Sequence, residues 1–292
     1  MTASPHFDFP LRTARLADGR RQAWREAGPA GAPAWVLLHG ISSGAGSWTA
    51  VAAHLVAAGQ RVLAWDAPGY GDSEPLAALQ PRGADLAAAI GAWLVAAEVP
   101  RCWLVGHSLG AIAAVAFAVD AARRGDGASR VLGLSLCSPA AGYGRRPDPA
   151  AQVRRQRLDD LEHLGIAGLA ARLPQRLTAP QANAAAREAV QAQALRMTPA
   201  GYRAAVELLC GEDLLALAGP GPAPRLPVPV YVHVGADDAV TPPAACEAVA
   251  AALGVPCSRW PGAGHASPIE TPAAVAQTLL QDRHQTTLSR EA

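Results

Sequence analysis

Short apolar runs alternate along this chain with amphipathic or Ala-rich stretches, and that alternation predicts the elements. Residues 11–17 and 22–27 flank Asp18-Gly19, a hairpin signal between two half-buried strands. Residues 35–38 and 61–65 read as short buried strands, with a helix starting at Ser47 or Thr49 and running to about Ala58 between them. A helix over 82–97 leads into an apolar strand from Cys102, a helix reaching about Arg124 follows, and 131–137 is another strand. Beyond Ala140 the alternation stops. Helical stretches then follow one another over 149–164, 166–173, 180–196 and 199–217. Alternation resumes with a strand at 228–234, a helix at 243–253, a strand at 258–260 and a helix at 268–282, while residues 284–292 read as a frayed polar end.

Repeated strand–helix units imply an α/β fold with a mostly parallel central sheet and helices on both faces. A run of helices between two strands of such a sheet is most economically a cap over the strand ends, where open α/β sheets bind ligands. The expected division is a core over 1–139, a helical cap over 140–227, and the rest of the core over 228–292.

Composition narrows the class. The formal net charge of +1 on 292 residues gives no footprint for nucleic acid or another polyanion. All 25 basic residues are arginine, which reads as compositional habit. Five cysteines without C-x-x-C spacing argue for a reducing compartment over a disulfide framework. The first ten residues carry no basic segment followed by an apolar core, and no apolar run reaches membrane-spanning length. A cytoplasmic protein with no membrane partner is expected; oligomeric state is not legible.

The candidate chemistry centres on Gly106-His107-Ser108-Leu109-Gly110, a G-x-S-x-G between strand and helix. Glycine permits the tight turn that holds Ser108 out at its tip as a nucleophile. A serine hydroxyl needs a base, and the base needs an orienting acid. His265 follows the last strand in Pro261-Gly262-Ala263-Gly264-His265, whereas His233 lies mid-strand, His54 on a helix, His163 in the cap, and His6 and His284 near the termini. Asp237 and Asp238 compete for the acid, because either could instead form a turn or cap the next helix. An oxyanion hole would take one backbone N–H from Leu109 and another from Ile41, past His39-Gly40. The His39 side chain is read as structural, with only the backbone after it bearing on chemistry.

These pieces resemble the α/β-hydrolase superfamily over nearly the whole chain. The likeness is carried by His39-Gly40 with Trp48, Asp66-Ala67-Pro68-Gly69-Tyr70-Gly71-Asp72-Ser73, the Ser108 elbow, Gly235-Ala236-Asp237-Asp238 with Thr241-Pro242-Pro243, and Gly264-His265 with Glu270-Thr271-Pro272. The resemblance implies that the acid lies three residues after the strand-ending glycine, which selects Asp238. It also implies that Asp66 to Ser73 is a structural turn without catalytic members.

A serine at the elbow separates the chain from dehalogenases and epoxide hydrolases, which carry aspartate there. The implied activity is cleavage of a small carboxylic ester or lactone through an acyl-enzyme on Ser108, with His265 as base and Asp238 as its orienter. Residues 198–205, leading to Asp213-Leu214 and Val228, look like the cap-to-core passage of the enol-lactonase branch. Carbon–carbon bond hydrolysis of ring-cleavage products is the alternative, although those enzymes usually carry a tryptophan close behind the histidine, where Ala266-Ser267-Pro268-Ile269 stands here. A non-catalytic ligand-binding role would call for a broken triad. No metal or phosphate-loop spacing is present, so no cofactor is expected. Tyr143, Arg145, Arg146 and Tyr202 are the candidate cap lining; the arginines read as solvated surface, but one facing Ser108 would favour an acidic substrate.

Overall fold

Leu11–Arg15 (β1) and Arg21–Ala27 (β2) pair antiparallel around the Asp18-Gly19 turn, where Gly19 has φ 83°. In the computed structural model, which describes residues 7–31, 33–125, 130–219, 226 and 228–291, they form one margin of an eight-stranded sheet. The others are Ala34–Leu38 (β3), Arg61–Trp65 (β4), Cys102–His107 (β5), Val131–Cys137 (β6), Val230–Gly235 (β7) and Cys257–Trp260 (β8). The spatial order is β1-β2-β4-β3-β5-β6-β7-β8, with every pair from β4 to β8 parallel. The first six residues and Pro227, the expected end of the cap, lie outside the described residues.

Strands β3 to β6 are buried at every position, as a parallel sheet covered on both faces requires. Alternate side chains feed two cores. Val36, Leu38 and Leu104 pack with Ile90 of Gly83–Ala96 (α2) and Ile112 of Leu109–Arg123 (α3). Trp35, Leu37 and Val105 pack on the other face with Val51 and Leu55 of Thr49–Ala57 (α1) and with Val275 and Leu279. From β3 the chain crosses outward to β4, and from β5 it proceeds the other way to β6. The strand order therefore reverses between β3 and β5, where a ligand crevice forms at the carboxyl ends. Leu38 and His107 end those two strands.

Between β6 and β7 run Pro147–Leu177 (α4), Ala184–Ala194 (α5), Pro199–Gly211 (α6) and Leu214–Ala218 (α7). Their boundaries differ from the sequence reading for local reasons. Helix α4 breaks at Gly165 (φ 60°, ψ −176°) but continues past Pro174, whose carbonyl accepts from both the Thr178 N–H (3.1 Å) and its hydroxyl (2.8 Å). The stretch from 180 is not helical until Asn183 caps α5 by accepting from the Ala186 N–H at 2.8 Å. The single helix expected over 199–217 is two, because Asp213 caps α7 through the Ala216 N–H at 2.9 Å.

The remaining helices are Pro243–Leu253 (α8), Ser267–Glu270 (α9) and Pro272–Glu291 (α10). The expected frayed end is instead the last turns of α10, held by Asp282 against the sheet: its carboxylate takes 2.7 Å and 2.9 Å hydrogen bonds from Ser135 and His233. Among the described residues no helix is long and apolar enough to cross a membrane.

Candidate active site

Strand β5 turns into α3 at one residue, Ser108, with φ 52° and ψ −117°. A non-glycine residue held there stores about 1–3 kcal/mol of strain, and the neighbours over-determine it. A Cβ on Gly106 would lie 2.6 Å from the Ala111 Cα, and one on Gly110 would lie 2.4 Å from the Leu38 carbonyl oxygen. Only glycine allows α3 to press so closely on its own strand and on β3. The Ser108 N–H donates to the Cys137 carbonyl at 3.0 Å, and its carbonyl accepts from Ala111 and Ala140. Ser108 thus stands on a fixed backbone in the wall of a cavity of about 620 Å³. His265, Ile41 and Leu109 line the same cavity.

His265 arrives from the loop after β8, and its Nδ1 lies 2.8 Å from Asp238 Oδ2. Asp238 Oδ1 accepts from the Val240 and Thr241 N–H groups at 2.8 and 2.9 Å, and Oδ2 also accepts from the Thr241 hydroxyl at 3.0 Å. Burial alone would raise this carboxyl's pKa, but the hydrogen bond and charge of His265 and the Thr241 backbone bond outweigh it and bring it to about 2. An ionised carboxylate only accepts, so Nδ1 carries the proton and Nε2 keeps its lone pair. Asp237 is exposed and accepts from Gln181 Nε2 at 2.7 Å instead. Of the two competing aspartates, Asp238 is the one the fold brings to His265.

The depressed Asp238 pKa has a consequence for stability. An acid whose folded pKa lies below its unfolded value of about 3.9 stabilises the fold above that value and loses the contribution as pH falls through its folded pKa. The melting-temperature gap between wild type and Asp238→Asn is therefore expected to be constant from about pH 5 to 8 and to close between about pH 4 and 2. Thermal melts across that range check it; a gap that widened on acidification would contradict it.

The loop after β3 is braced by the side chain of His39. The Ala67 N–H donates to His39 Nε2 at 3.0 Å, so Nδ1 must carry the His39 proton, and it donates to the Gly40 carbonyl at 2.8 Å. That carbonyl belongs to the same peptide plane as the Ile41 N–H, so the ring fixes the plane and burial keeps it neutral by lowering its pKa. Tyr70 donates its hydroxyl to the Ile41 carbonyl at 2.7 Å. Asp66 Oδ1 accepts from the Ala45 N–H at 2.8 Å, and its carbonyl takes the Ser73 hydroxyl at 2.7 Å. The Asp66–Ser73 stretch therefore acts as a turn that props the loop after β3. Leu109 opens α3, and the first N–H groups of a helix have no acceptor within it.

Two further contacts escaped the sequence reading. His107 Nε2 donates to the His265 carbonyl at 2.7 Å, with the Trp48 ring set at 90° to it. Burial, then the neighbouring His265, push the His107 pKa down to about 3, so it is a neutral strut joining the elbow to the histidine loop. Glu270 accepts from the Gly264 N–H at 3.0 Å and from the Ala179 N–H at 2.6 Å, clasping the chain after α4 to that loop. Replacing it by Gln would set an amide donor against one of those N–H groups. Glu270→Gln is expected to cost about 1–3 kcal/mol, read as a lowered melting temperature. Position in the sequence hinted at neither role, because both contacts are made across the fold.

Among the described residues, no histidine besides His107 and His265 lines the cavity. His233 pairs with Asp282 at 2.9 Å and with the Ser258 hydroxyl at 2.5 Å, the same residue types as at the cavity, but none of the three lines it. His163 bonds the Asp159 carbonyl within α4. Of the expected cap lining, Tyr143, Arg146 and Tyr202 face the cavity, whereas Arg145 turns to Asp213 at 3.9 Å. Arg146 is exposed, as the sequence reading has it, and lines the cavity as well. Its guanidinium lies 4.8 Å over the Tyr143 ring, inside the cavity wall.

At the strand-order reversal, a serine on a strained strand-to-helix turn shares a cavity with a histidine bonded to a buried aspartate. A family model described as the alpha/beta hydrolase family matches residues 35–278. The chain belongs to the alpha/beta hydrolase family. Across the full alpha/beta hydrolase fold it is similar to a thermophilic esterase from Thermogutta terrifontis, with 25% identity, TM-score 0.78, and 95% of this chain and 99% of that one covered. The enol-lactonase from Burkholderia xenovorans LB400 superposes with TM-score 0.73 over 93% and 99% of the two chains; at 24% identity this speaks to fold alone. In sequence the chain is 37% identical over 97 residues to a 2-hydroxy-6-oxononadienedioate/2-hydroxy-6-oxononatrienedioate hydrolase of Pseudomonas putida, covering 32% of this chain and 34% of that one. It is 34% identical over 114 residues to a 2-hydroxy-6-oxo-6-phenylhexa-2,4-dienoate hydrolase of Burkholderia cepacia, covering 36% and 39%. The matched stretch thus spans little more than a third of each of these two relatives.

Proposed function

We propose that this alpha/beta hydrolase cleaves small carboxylic esters or lactones through an acyl-enzyme on Ser108. One observation carries the reading: His265 has its Nδ1 proton committed to Asp238 at 2.8 Å, which leaves Nε2 as the base in a cavity shared with Ser108. In the first step Ser108 Oγ bonds to the substrate carbonyl carbon and its proton passes to His265 Nε2. Negative charge gathers on the carbonyl oxygen, where the N–H groups of Ile41 and Leu109 meet it. Collapse expels the alcohol, or opens the ring, with return of the proton. Water then adds to the acyl carbon by the same route, its proton taken by His265, and Ser108 is released. Asp238 holds the ring and offsets the positive charge it acquires.

The names of the sequence relatives favour a second reading, hydrolysis of a carbon–carbon bond in a dienoate. Against it stands the absence of tryptophan in the Ala266-Ser267-Pro268 stretch behind His265. A panel of nitrophenyl esters, simple lactones, enol lactones and a ring-cleavage dienoate separates the two: turnover of esters or lactones is expected, and fast turnover of the dienoate alone would overturn the first reading. Five free cysteines accord with a reducing cytoplasm as its location. The helices between β6 and β7 serve as a cap that shapes the substrate space.

The brace on the Gly40–Ile41 peptide gives a separate test. His39→Phe removes both hydrogen bonds of the ring and frees that plane, so kcat is expected to fall roughly 10- to 100-fold with KM within a few-fold. Steady-state kinetics on a turned-over ester check it. A loss confined to KM would instead assign His39 to substrate binding.

A further inference from the structure

Some arginines elsewhere in the fold are paired with acids, as Arg61 with Glu26, Arg154 with Glu207 and Arg259 with Glu247, and others, such as Arg25 and Arg187, donate to backbone carbonyls. What sets the wall of the Ser108 cavity apart is that four arginines gather there without an acid partner for Arg146, Arg172 or Arg176 among the described residues. Arg146 donates to the Gly142 carbonyl at 3.0 Å and Arg157 to the Tyr202 hydroxyl at 3.3 Å, both neutral partners. The guanidinium groups of Arg172 and Arg176 have no ion pair or hydrogen bond among the described residues, and both residues line the cavity. They sit four residues apart on α4, an arrangement in which like charges destabilise a helix. Asp160 is the only acidic residue in the cavity wall among the described residues. Four guanidinium groups against one carboxylate give this open cavity an excess of positive charge in a chain of net charge +1, with Arg146, Arg172 and Arg176 at its solvent-facing side.

Leu169, Leu173 and Leu177 come from the same stretch of α4 and add apolar surface to that wall. The end of α4 is also fixed to the histidine loop. The Ala266 N–H donates to the Leu177 carbonyl at 2.8 Å, and Glu270 bridges Ala179 to Gly264. Arg176 is one residue from Leu177, and His265 is one residue from Ala266, so the cationic end of the cavity is held at a set distance from the base.

Resting on the reading of Ser108 as nucleophile, we propose that Arg172 and Arg176, flanked by Arg157 and Arg146, bind a carboxylate at the far end of the acyl chain that Ser108 attacks. The substrates are then half-esters or lactones of dicarboxylic acids. The leucines take the methylene chain, and the guanidinium forks take the carboxylate by paired N–H donation. The carboxylate relieves the repulsion that the two arginines impose on α4 when the cavity lacks an anion.

The test compares mono-4-nitrophenyl glutarate with 4-nitrophenyl valerate, which match in acyl-chain length and differ in the terminal carboxylate. For the full-length wild type, kcat/KM is expected to favour the glutarate by about tenfold or more at low salt, with the preference shrinking as salt rises. In the Arg172→Gln/Arg176→Gln double variant that preference ratio falls by about tenfold. A second measurement does not depend on turnover: glutarate binding to Ser108→Ala by calorimetry, with and without the double substitution. Binding that the double substitution abolishes supports the carboxylate site even if neither ester is cleaved, an outcome that would sink only the hydrolase reading. Ser108-dependent cleavage of both esters without preference, and no glutarate binding, would overturn the carboxylate site and leave the hydrolase reading standing.

Discussion

Ser108→Ala is expected to lower kcat/KM by about four to six orders of magnitude while leaving the melting temperature within a few degrees of wild type. The two halves of that expectation have separate causes. The strained backbone at Ser108 is imposed by Gly106, Gly110 and the Cys137 and Ala140 hydrogen bonds, none of which involves the hydroxyl. Alanine has the same Cβ, so it meets the same strain and neither relieves nor adds to it. The reaction, by contrast, loses the atom that bonds to the acyl carbon. What remains is water attack assisted by His265 and the backbone N–H groups. Circular dichroism melts and ester kinetics on the same preparation read both halves. Residual turnover above a few per cent would remove Ser108 from the reaction.

Asp238→Asn should be nearly as damaging, with kcat reduced about 10³- to 10⁴-fold, whereas Asp237→Asn should stay within about threefold of wild type. The reason lies in the fixed donors around Asp238. The Val240 and Thr241 N–H groups both point at Oδ1, so the amide oxygen of an asparagine must occupy that place. Its NH₂ then faces His265 Nδ1, which has to become an acceptor. The ring proton moves to Nε2, and the nitrogen facing the cavity is no longer a base. Asp237 makes only an exposed contact with Gln181, so an amide there changes little. Measuring kcat for the two variants on one ester decides the matter, and the opposite ranking would make Asp237 the acid.

The core of the fold was legible because its signals are local. Apolar runs ending in Gly235 or in the Gly106–Gly110 turn mark parallel strands whatever surrounds them, and the order of Ser108, the aspartates and His265 follows from chain order alone. The helices between β6 and β7 were less legible at their ends. There Asn183 and Asp213 capped helices inside stretches that read as continuous, and α4 ran on past Pro174 to Leu177. Side-chain partners across the fold were not legible at all. His39, His107 and Glu270 act by fixing the backbone at Gly40, His265 and Gly264, and only the folded chain brings those groups together. The place of Arg172 and Arg176 at the cavity belongs to the same class: helical spacing puts them on one side of α4, and tertiary packing decides that this side borders the cavity.

The central claim is that Ser108 forms a covalent bond to the acyl group. Its most direct test is acid quench of the wild-type enzyme during turnover of a nitrophenyl ester, followed by peptide mass mapping. The expected result is a mass increase equal to the acyl group on the peptide carrying Ser108, absent from Ser108→Ala. Turnover with the acyl mass on another residue, or with no acylated peptide under conditions where acylation outpaces deacylation, would contradict it.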